Sequence, residues 1–95
     1  MARIEWTERA FSQLERLPTV IGYQIIRRVD FLEKFPEKGV MVRSRKKHAI
    51  NYRQLIVGKY YRVLYEYEAF SETVFILAVQ HTRQRLPSLR ELKRE

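Results

Sequence analysis

The sequence predicts an α+β fold in which an N-terminal αα-hairpin packs on a small antiparallel β-sheet, followed by a short C-terminal helix. Two observations predict it. Residues 7–35 carry apolar side chains at helical spacing on both sides of a proline, and residues 52–80 contain three apolar runs of strand length. Each helix has one apolar stripe and the sheet has an apolar face, so stacking the two layers covers both.

The three runs predict a meander of strands. The first, Tyr52–Val57, ends at Gly58-Lys59, where glycine tolerates the positive φ of a tight reversal. The second, Tyr60–Glu68, alternates, with the odd-numbered residues from 61 to 67 pointing to one face and all of them apolar or aromatic. The third, Thr73–Gln80, is apolar at nearly every position, which predicts a strand that is covered on both faces or lies near the sheet centre.

Residues 7–35 predict two helices joined at a proline. Thr7 is the expected N-cap of the first helix and Pro18 its end. Thr19 is the expected cap of the second, which Pro36 stops. Gly22 costs the second helix roughly 1 kcal/mol relative to Ala, and a close approach of the two helices would explain its presence.

Shorter elements are expected outside these regions. Ala2–Trp6 alternates and predicts a short strand, and Val40–Val42 is suited to begin another. Residues 45–48 are basic and predict an exposed loop. Ser88 is a candidate cap for the short C-terminal helix, whose Leu89 and Leu92 would face the protein.

Length and composition predict one domain over residues 1–95, located in the cytoplasm. The 95 residues include no Cys, which excludes disulfides and thiolate metal sites, and no run is long enough to span a membrane. The N-terminus lacks the apolar segment of a secretory signal. His48 and His81 have no zinc-site spacing, so we expect neither a metal nor a cofactor.

The surplus of positive charge is confined to one part of the chain. Lys and Arg number 19 against 11 Asp and Glu, and residues 38–65 hold eight of the basic residues and none of the acidic ones. This block predicts an acidic or polyanionic partner, the alternative being a solvated basic surface. The residues expected to bind a partner or nucleic acid are Arg43, Arg45, Lys46, Lys47, Arg53, Lys59, Arg62, Arg83 and Arg85.

Four residues of the meander suggest phosphate chemistry, and we expect them to line one concave surface. They are Arg53, Arg62, His81 and Arg83. Guanidinium groups bind phosphate oxygens bidentately, and a histidine titrates near neutral pH, so a ribonuclease can be built from such groups without a metal. The alternatives are an ion pair of Arg62 with Glu66 or Glu68, and a strand-end His81 bonded to backbone.

Three segments resemble a known family. RQLIVGKYYRV at 53–63, YRVLYEYE at 61–68 and VFILAVQHTRQ at 74–84 resemble the RelE/ParE superfamily, the toxins of bacterial type II toxin–antitoxin systems. The preceding helical hairpin agrees in order and length, so the resemblance covers essentially the whole chain. It implies a growth-inhibiting toxin with a cognate antitoxin, encoded beside it, whose acidic or amphipathic segment folds on binding. The oligomeric state stays open between a homodimer and a heteromeric complex.

The superfamily has two branches, which differ in target. RelE-like toxins cut messenger RNA on the ribosome with basic residues of the second strand, an Arg in the YR-x-x-Y strand, and a C-terminal Arg and Tyr. ParE-like toxins inhibit DNA gyrase and are not nucleases. Arg62 matches the strand Arg and Arg53 lies near another basic position, but Leu55 occupies a third and no Tyr follows Tyr67. For the C-terminal Arg, the match falls on residue 82 or 83.

The exit segment HTRQRLP resembles the ParE-like pattern more closely. The resemblance therefore favours a ParE-like gyrase inhibitor. The alternative is a RelE-like, ribosome-dependent, metal-independent endoribonuclease, and a third hypothesis is a non-toxic RNA-binding module.

Overall fold

In the part of the chain that the structure describes, residues 1–42, 52–87 and 91–92, two helices pack on one face of a five-stranded sheet. The structure is a computed structural model. The elements in chain order are β1 (Arg3–Trp6), α1 (Glu8–Glu15), α2 (Thr19–Asp30), a 3₁₀ turn (Phe31–Glu33), β2 (Val40–Val42), β3 (Tyr52–Val57), β4 (Tyr61–Glu68) and β5 (Thr73–His81). The predicted α+β architecture and the helical hairpin are thereby confirmed.

The sheet is mixed, with strand order β1-β5-β4-β3-β2. The neighbours from β5 to β2 are antiparallel, as the meander predicts, and β2 continues the sheet beyond β3. The prediction of a purely antiparallel sheet is wrong at β1, which pairs parallel to β5 with Arg3 opposite Thr73. The direction of an edge strand depends on the path of the intervening chain, which a local residue pattern does not encode.

The turn between β3 and β4 is one residue longer than predicted. Val57 pairs with Tyr61, which leaves three residues in the turn, and Gly58 has the expected positive φ of 63°. Tyr60, predicted to begin the strand, lies in this turn instead. The four-residue connection Ala69–Glu72 between β4 and β5 is confirmed.

A β-bulge interrupts the pairing of β4 with β5. Leu64 pairs with Ala78 and Tyr65 with Ile76, so Leu77 is the extra residue of β5. Leu77 and Ala78 consequently contribute to the same cluster on the sheet face opposite the helices.

Thr7 joins α1 to the sheet. Its hydroxyl accepts from the Ala10 N–H at 3.2 Å, the N-cap bond predicted, and donates to the Ile76 carbonyl of β5 at 2.7 Å. The side chain is buried, so one hydroxyl satisfies two backbone groups that would otherwise be shielded from water.

The start of α2 differs from the expectation. Thr19 is its first residue rather than its cap, and Pro18 occupies the N-cap position without a side-chain bond. Gly22 is buried where the two helices meet, but a methyl group added there would lie 3.9 Å from Leu14 Cδ1. This is an ordinary van der Waals distance, so the contact does not require glycine.

Apolar clusters cover both faces of the sheet. The cluster beneath the helices includes Ala10, Leu14, Ile25, Val29, Leu32, Leu55, Val57, Val63, Tyr65, Val74, Ile76 and Val79. The cluster on the opposite face consists of Tyr52, Leu64, Leu77, Ala78 and Leu92, with Val42, Phe75 and Leu86 against it. β5 contributes to both, which confirms the prediction for the third run.

The C-terminal segment reaches the second cluster. Leu92 is 5% exposed there and Leu86 packs beside it. Most of the predicted short C-terminal helix falls on residues 88–90 and 93–95, which lie outside the described residues. Among the residues that are described, no helix combines the length and apolarity needed to cross a membrane.

Candidate functional site

Arg62 lies on the sheet face opposite the helices, near the start of β4. On β4 it sits between Ile56 of β3 and Gln80 of β5. Its Nε donates to Gln80 Oε1 at 2.7 Å, and its Nη2 donates to the Gln84 carbonyl. The guanidinium of Arg62 therefore ties the segment after β5 to the sheet.

Tyr52 and Gln80 extend this arrangement. Tyr52 is 5% exposed, and burial raises the pKa of its hydroxyl, an effect that the positive charge of Arg62 partly offsets. Gln80 Nε2 donates to the Arg85 carbonyl at 3.4 Å. Arg62 thus has a neutral phenol as neighbour, and two of its hydrogen-bond donors are already engaged within the protein.

Arg53 lies on the helix side of the sheet, where it pairs with Tyr65. Its Nη1 donates to the carbonyls of Glu37 at 3.1 Å and Gly39 at 2.8 Å. Its Nη2 faces the Glu37 carboxylate at 3.9 Å. These contacts hold the loop that precedes β2.

Gly39 is in direct contact with Tyr65. The Gly39 N–H donates to the Tyr65 hydroxyl at 2.8 Å, and a Cβ at residue 39 would lie 2.8 Å from the Tyr65 ring and 2.9 Å from the Gln54 carbonyl. Burial raises the pKa of Tyr65, while the Gly39 N–H and the charge of Arg53 act in the opposite direction. Glycine is required here because no larger side chain fits.

His81 ends β5 on the helix side, opposite Tyr61. Its ring stacks on Tyr60 at 5.8 Å between centroids and meets Tyr61 edge-on at 5.4 Å. Its Nδ1 accepts from the Arg83 N–H at 3.0 Å, which assigns the proton of the neutral ring to Nε2. This geometry matches the alternative expectation of a strand-end histidine bonded to backbone.

The prediction that Arg53, Arg62, His81 and Arg83 line one concave surface is wrong. Arg53 and His81 lie on the helix side of the sheet and Arg62 on the other side. Arg62 pairs with Ile56, three residues from Arg53, and an odd separation along a strand puts two side chains on opposite faces. Arg83 is exposed in the turn that follows β5.

Several basic residues do collect at one end of the sheet. The β3–β4 turn lies against the segment after β5, because the Thr82 N–H donates to the Tyr60 carbonyl at 2.7 Å. Lys59, Arg83 and Arg85 are exposed in these two segments. Their role in binding a partner or nucleic acid stays a prediction. The predicted binding residues Arg43, Arg45, Lys46 and Lys47 lie outside the described residues, as does His48.

Sequence reasoning missed the residues that hold Arg62. Gln80 and Gln84 accept its hydrogen bonds, and Tyr52 lies beside it. One available signal is that Gln80 is the polar residue near the end of an otherwise apolar run. Its position opposite Arg62 depends on the register past the bulge, which the residue pattern does not give.

A family comparison covers almost the whole chain. The family described as ParE toxin of type II toxin–antitoxin system, parDE, matches residues 4–86. The chain belongs to this ParE toxin family. It is a toxin of a type II toxin–antitoxin system, so the resemblance to the RelE/ParE superfamily is confirmed. No curated protein sequence matches the chain.

Solved structures share the fold of this ParE-family toxin. In the RelBE2 toxin–antitoxin complex from Mycobacterium tuberculosis, a chain is 27% identical with a TM-score of 0.71, over 84% of this chain and 96% of that one. The intact E. coli RelBE complex contains a chain that is 15% identical with a TM-score of 0.70, over 88% and 100%. In the archaeal RelE–RelB complex from Pyrococcus horikoshii, a chain is 20% identical with a TM-score of 0.68, over 88% of this chain and 98% of that one.

Proposed function

We propose that this ParE-family toxin inhibits DNA gyrase by binding it, without cleaving RNA, and that a cognate antitoxin neutralises it. The observation that carries the proposal is the separation of the candidate catalytic residues onto two faces of the sheet. Arg53 and His81 are on the helix side and Arg62 is on the other.

Phosphodiester cleavage needs its acid, base and charge-stabilising groups within hydrogen-bond reach of one phosphate. Arg53 instead donates to Glu37 and Gly39, and the imidazole of His81 accepts from backbone. Leu55, where the resemblance expects a basic residue, is buried in the cluster beneath the helices. These features favour binding over catalysis.

The antitoxin follows from charge as well as from family. Three similar structures are toxin–antitoxin complexes. The chain carries a formal net charge of +8 with all of the surplus in residues 38–65. A partner with an acidic, amphipathic segment complements a chain with such a basic segment.

The direct test is a gyrase supercoiling assay with the purified toxin. We expect inhibition by the wild-type protein, and weaker inhibition by the double variant R83A/R85A if the basic end of the sheet contacts gyrase. The matched control is R9A/R16A, which removes two exposed arginines from the α1 region and leaves inhibition unchanged. Supercoiling that continues normally with excess wild-type toxin overturns the proposal.

A RelE-like endoribonuclease is the second candidate, because Arg62 matches the strand Arg of that branch and the similar structures include RelE toxins. It predicts cleavage of messenger RNA on programmed ribosomes, lost in R62A. Since Arg62 also holds Gln84, the variant needs a circular dichroism spectrum that matches the wild type. Messenger RNA that stays intact with the wild-type toxin removes this candidate. If overexpression of the protein does not inhibit bacterial growth, the third hypothesis, a non-toxic RNA-binding module, is favoured.

A further inference from the structure

A tyrosine and a histidine stack on each other at the end of the sheet where Lys59, Arg83 and Arg85 are exposed. The ring centroids of Tyr60 and His81 are 5.8 Å apart, with planes inclined by 22°. Tyr60 is 57% exposed, so one face of its ring lies on the imidazole and the other is open to solvent. This pair is called here the Tyr60/His81 stack.

Contacts with the surrounding chain hold the stack in one orientation. Tyr61 meets the imidazole edge-on at 5.4 Å between centroids and itself packs on the cluster beneath the helices. The Arg83 N–H donates to His81 Nδ1 at 3.0 Å, and the Thr82 N–H donates to the Tyr60 carbonyl at 2.7 Å. The open face of Tyr60 is therefore preorganised, which lowers the entropic cost of binding a ligand on it.

Positive charge surrounds the open face of the tyrosine. Lys59 lies next to Tyr60 in the β3–β4 turn, and Arg83 and Arg85 follow β5. Neither this turn nor the segment from residue 81 to residue 85 contains aspartate or glutamate. An aromatic face between cations complements a ligand in which flat aromatic groups alternate with negative charges.

A groove continues this surface along the helix side of the sheet. It has a volume of about 510 Å³ and lies between α2 and the same β3–β4 turn that carries Tyr60. Arg27 and Arg28 line it from α2 and Gly58 from the turn, and none of the described residues that line it is acidic. A chain of phosphates that passes the Tyr60/His81 stack therefore meets further cations in the groove.

We propose that the Tyr60/His81 stack binds single-stranded nucleic acid, with an unpaired base on the open face of Tyr60 and the neighbouring phosphates at Lys59 and Arg83. Every base has a π-face, so stacking on an aromatic ring beside cations binds single strands with little dependence on sequence. A duplex fits poorly, because its bases are already stacked on one another. The inference goes beyond the proposed function and is compatible with either candidate target, since gyrase and the ribosome both hold nucleic acid.

The proposed site is separate from the strand arginine of the ribonuclease hypothesis. His81 lies on the helix side of the sheet opposite Tyr61, whereas Arg62 lies on the other side. The imidazole is the support of the stack, and its Nδ1 is engaged by backbone. The role assigned to the Tyr60/His81 stack is therefore binding, with no cleavage step.

Fluorescence anisotropy with the purified toxin measures this binding. The probe is a labelled single-stranded DNA of mixed sequence, about 12 nucleotides long, which is within the range of site sizes of stacking proteins. An RNA of the same sequence is expected to bind with comparable affinity, because neither stacking nor phosphate contacts require the 2′-hydroxyl. A blunt duplex and an abasic strand of equal charge are expected to bind about 10-fold more weakly or worse, because they offer no unpaired base.

Variants of Tyr60 separate stacking from general apolar contact. Y60F keeps the ring and is expected to retain the affinity for the single strand. Y60L keeps an apolar side chain without the ring and is expected to weaken binding about 10-fold or more, the usual effect of removing a stacking platform. The matched control is Y23L, because Tyr23 is 66% exposed on α2 and does not line the groove.

Variants of the cations test the phosphate contacts. K59A/R83A is expected to reduce the slope of log affinity against log salt concentration by about 1.4 in magnitude, since each phosphate contact on a single strand contributes about 0.7. R9A/R16A removes the same charge from the α1 region and is expected to leave the slope unchanged. Circular dichroism spectra that match the wild type show that these variants fold.

Four results overturn the proposal: unchanged binding in Y60L, equal weakening in Y23L, equal binding of the abasic strand or the duplex, and a strict requirement for ribose. Binding to naked oligonucleotides is measured without gyrase or ribosomes. A toxin that inhibits supercoiling without binding the single strand overturns this inference alone, and one that binds without inhibiting overturns the proposed function alone.

Discussion

At the scale of single residues, the sharpest constraint is the contact between Gly39 and Tyr65. The variant G39A is expected to lower the free energy of unfolding by about 1–3 kcal/mol, the usual cost of overpacking, because the added methyl group lies 2.8 Å from the Tyr65 ring and 2.9 Å from a backbone carbonyl. Urea denaturation followed by circular dichroism measures the change.

The matched control is G22A. Its added methyl group would lie 3.9 Å from Leu14, which leaves room for it, and Ala is the better helix former. The free energy of unfolding of this variant is therefore expected to rise by about 0.5–1 kcal/mol. If G22A is destabilised as much as G39A, the assignment of Gly39 as the sterically required glycine is wrong.

Tyr65 makes the stability of the fold depend on pH in the alkaline range. Burial raises its pKa above the ordinary 10.0, so the unfolded chain loses this proton first as the pH rises. The stability that the neutral phenol contributes is fully present below about pH 10 and is lost as the pH rises through the folded pKa. Tyr52, whose pKa is raised by burial, acts in the same direction.

The variant Y65F tests this dependence. At neutral pH its free energy of unfolding is expected to be about 1–3 kcal/mol lower than that of the wild type, because the Gly39 N–H is left without its acceptor. Between pH 9 and 11, however, its stability should fall less than that of the wild type. Urea midpoints across that range provide the measurement. Y23F, at a residue 66% exposed on α2, should decline in parallel with the wild type. An identical alkaline decline in Y65F would contradict the role given to this hydroxyl.

At the scale of elements, α1 depends on its cap. T7A removes both the bond to the Ala10 N–H and the bond to the Ile76 carbonyl, so it is expected to lower the free energy of unfolding by about 1–2 kcal/mol. T19A is the control, because Thr19 begins α2 without a side-chain cap and is exposed. Thermal or urea denaturation measures both variants. An equal loss of stability in T7A and T19A would contradict the role given to the Thr7 cap.

The elements themselves were predictable, because each has its own periodic pattern and stop signal. Helix α1 ends at Glu15, close to Pro18, whereas α2 ends at Asp30 and gives way to a 3₁₀ turn before it reaches Pro36. The alternation of β4 places its aromatic face on the helices. The residue pattern could not provide the length of the turn between β3 and β4. With two turn residues, Arg62 would face Leu55 and share a sheet side with Arg53, whereas the third turn residue moves it opposite Ile56.

The grouping of the candidate site residues on one surface was consequently wrong, and the roles of those residues stay predictions. Hydrogen bonds of Arg62 to Gln80 and Gln84 also depend on the bulge at Leu77, a feature that carries no residue signature in an apolar run. Sequence periodicity therefore indicates which faces are apolar, and the register determines which polar residues meet.

At the scale of the whole molecule, the N-terminal strand β1 forms one edge of the sheet and contributes to the core. Ala2 is buried and its N–H donates to the Glu33 carbonyl at 2.8 Å, while Ile4 and Trp6 pack on the cluster beneath the helices. Deleting residues 2–6 is expected to abolish cooperative unfolding, because a domain with a stability of about 5–15 kcal/mol cannot lose an edge strand and part of its core.

The control for this deletion is the double variant R3A/E5A. It removes an exposed ion pair of 3.2 Å from the same strand and is expected to change stability by less than about 1 kcal/mol. Differential scanning calorimetry distinguishes the two. A deletion variant that still unfolds in one sharp transition near the wild-type temperature would show that β1 is dispensable.

The central placement of β5 has a consequence for biosynthesis. This strand is translated last of the five described strands, yet it lies between β1 and β4 and supplies side chains to both apolar clusters. A nascent chain that stops short of residue 73 leaves β1 without its partner and both clusters incomplete. Nonsense and frameshift lesions upstream of that codon are therefore expected to yield inert polypeptides that proteases clear, so that toxicity appears only in the finished molecule.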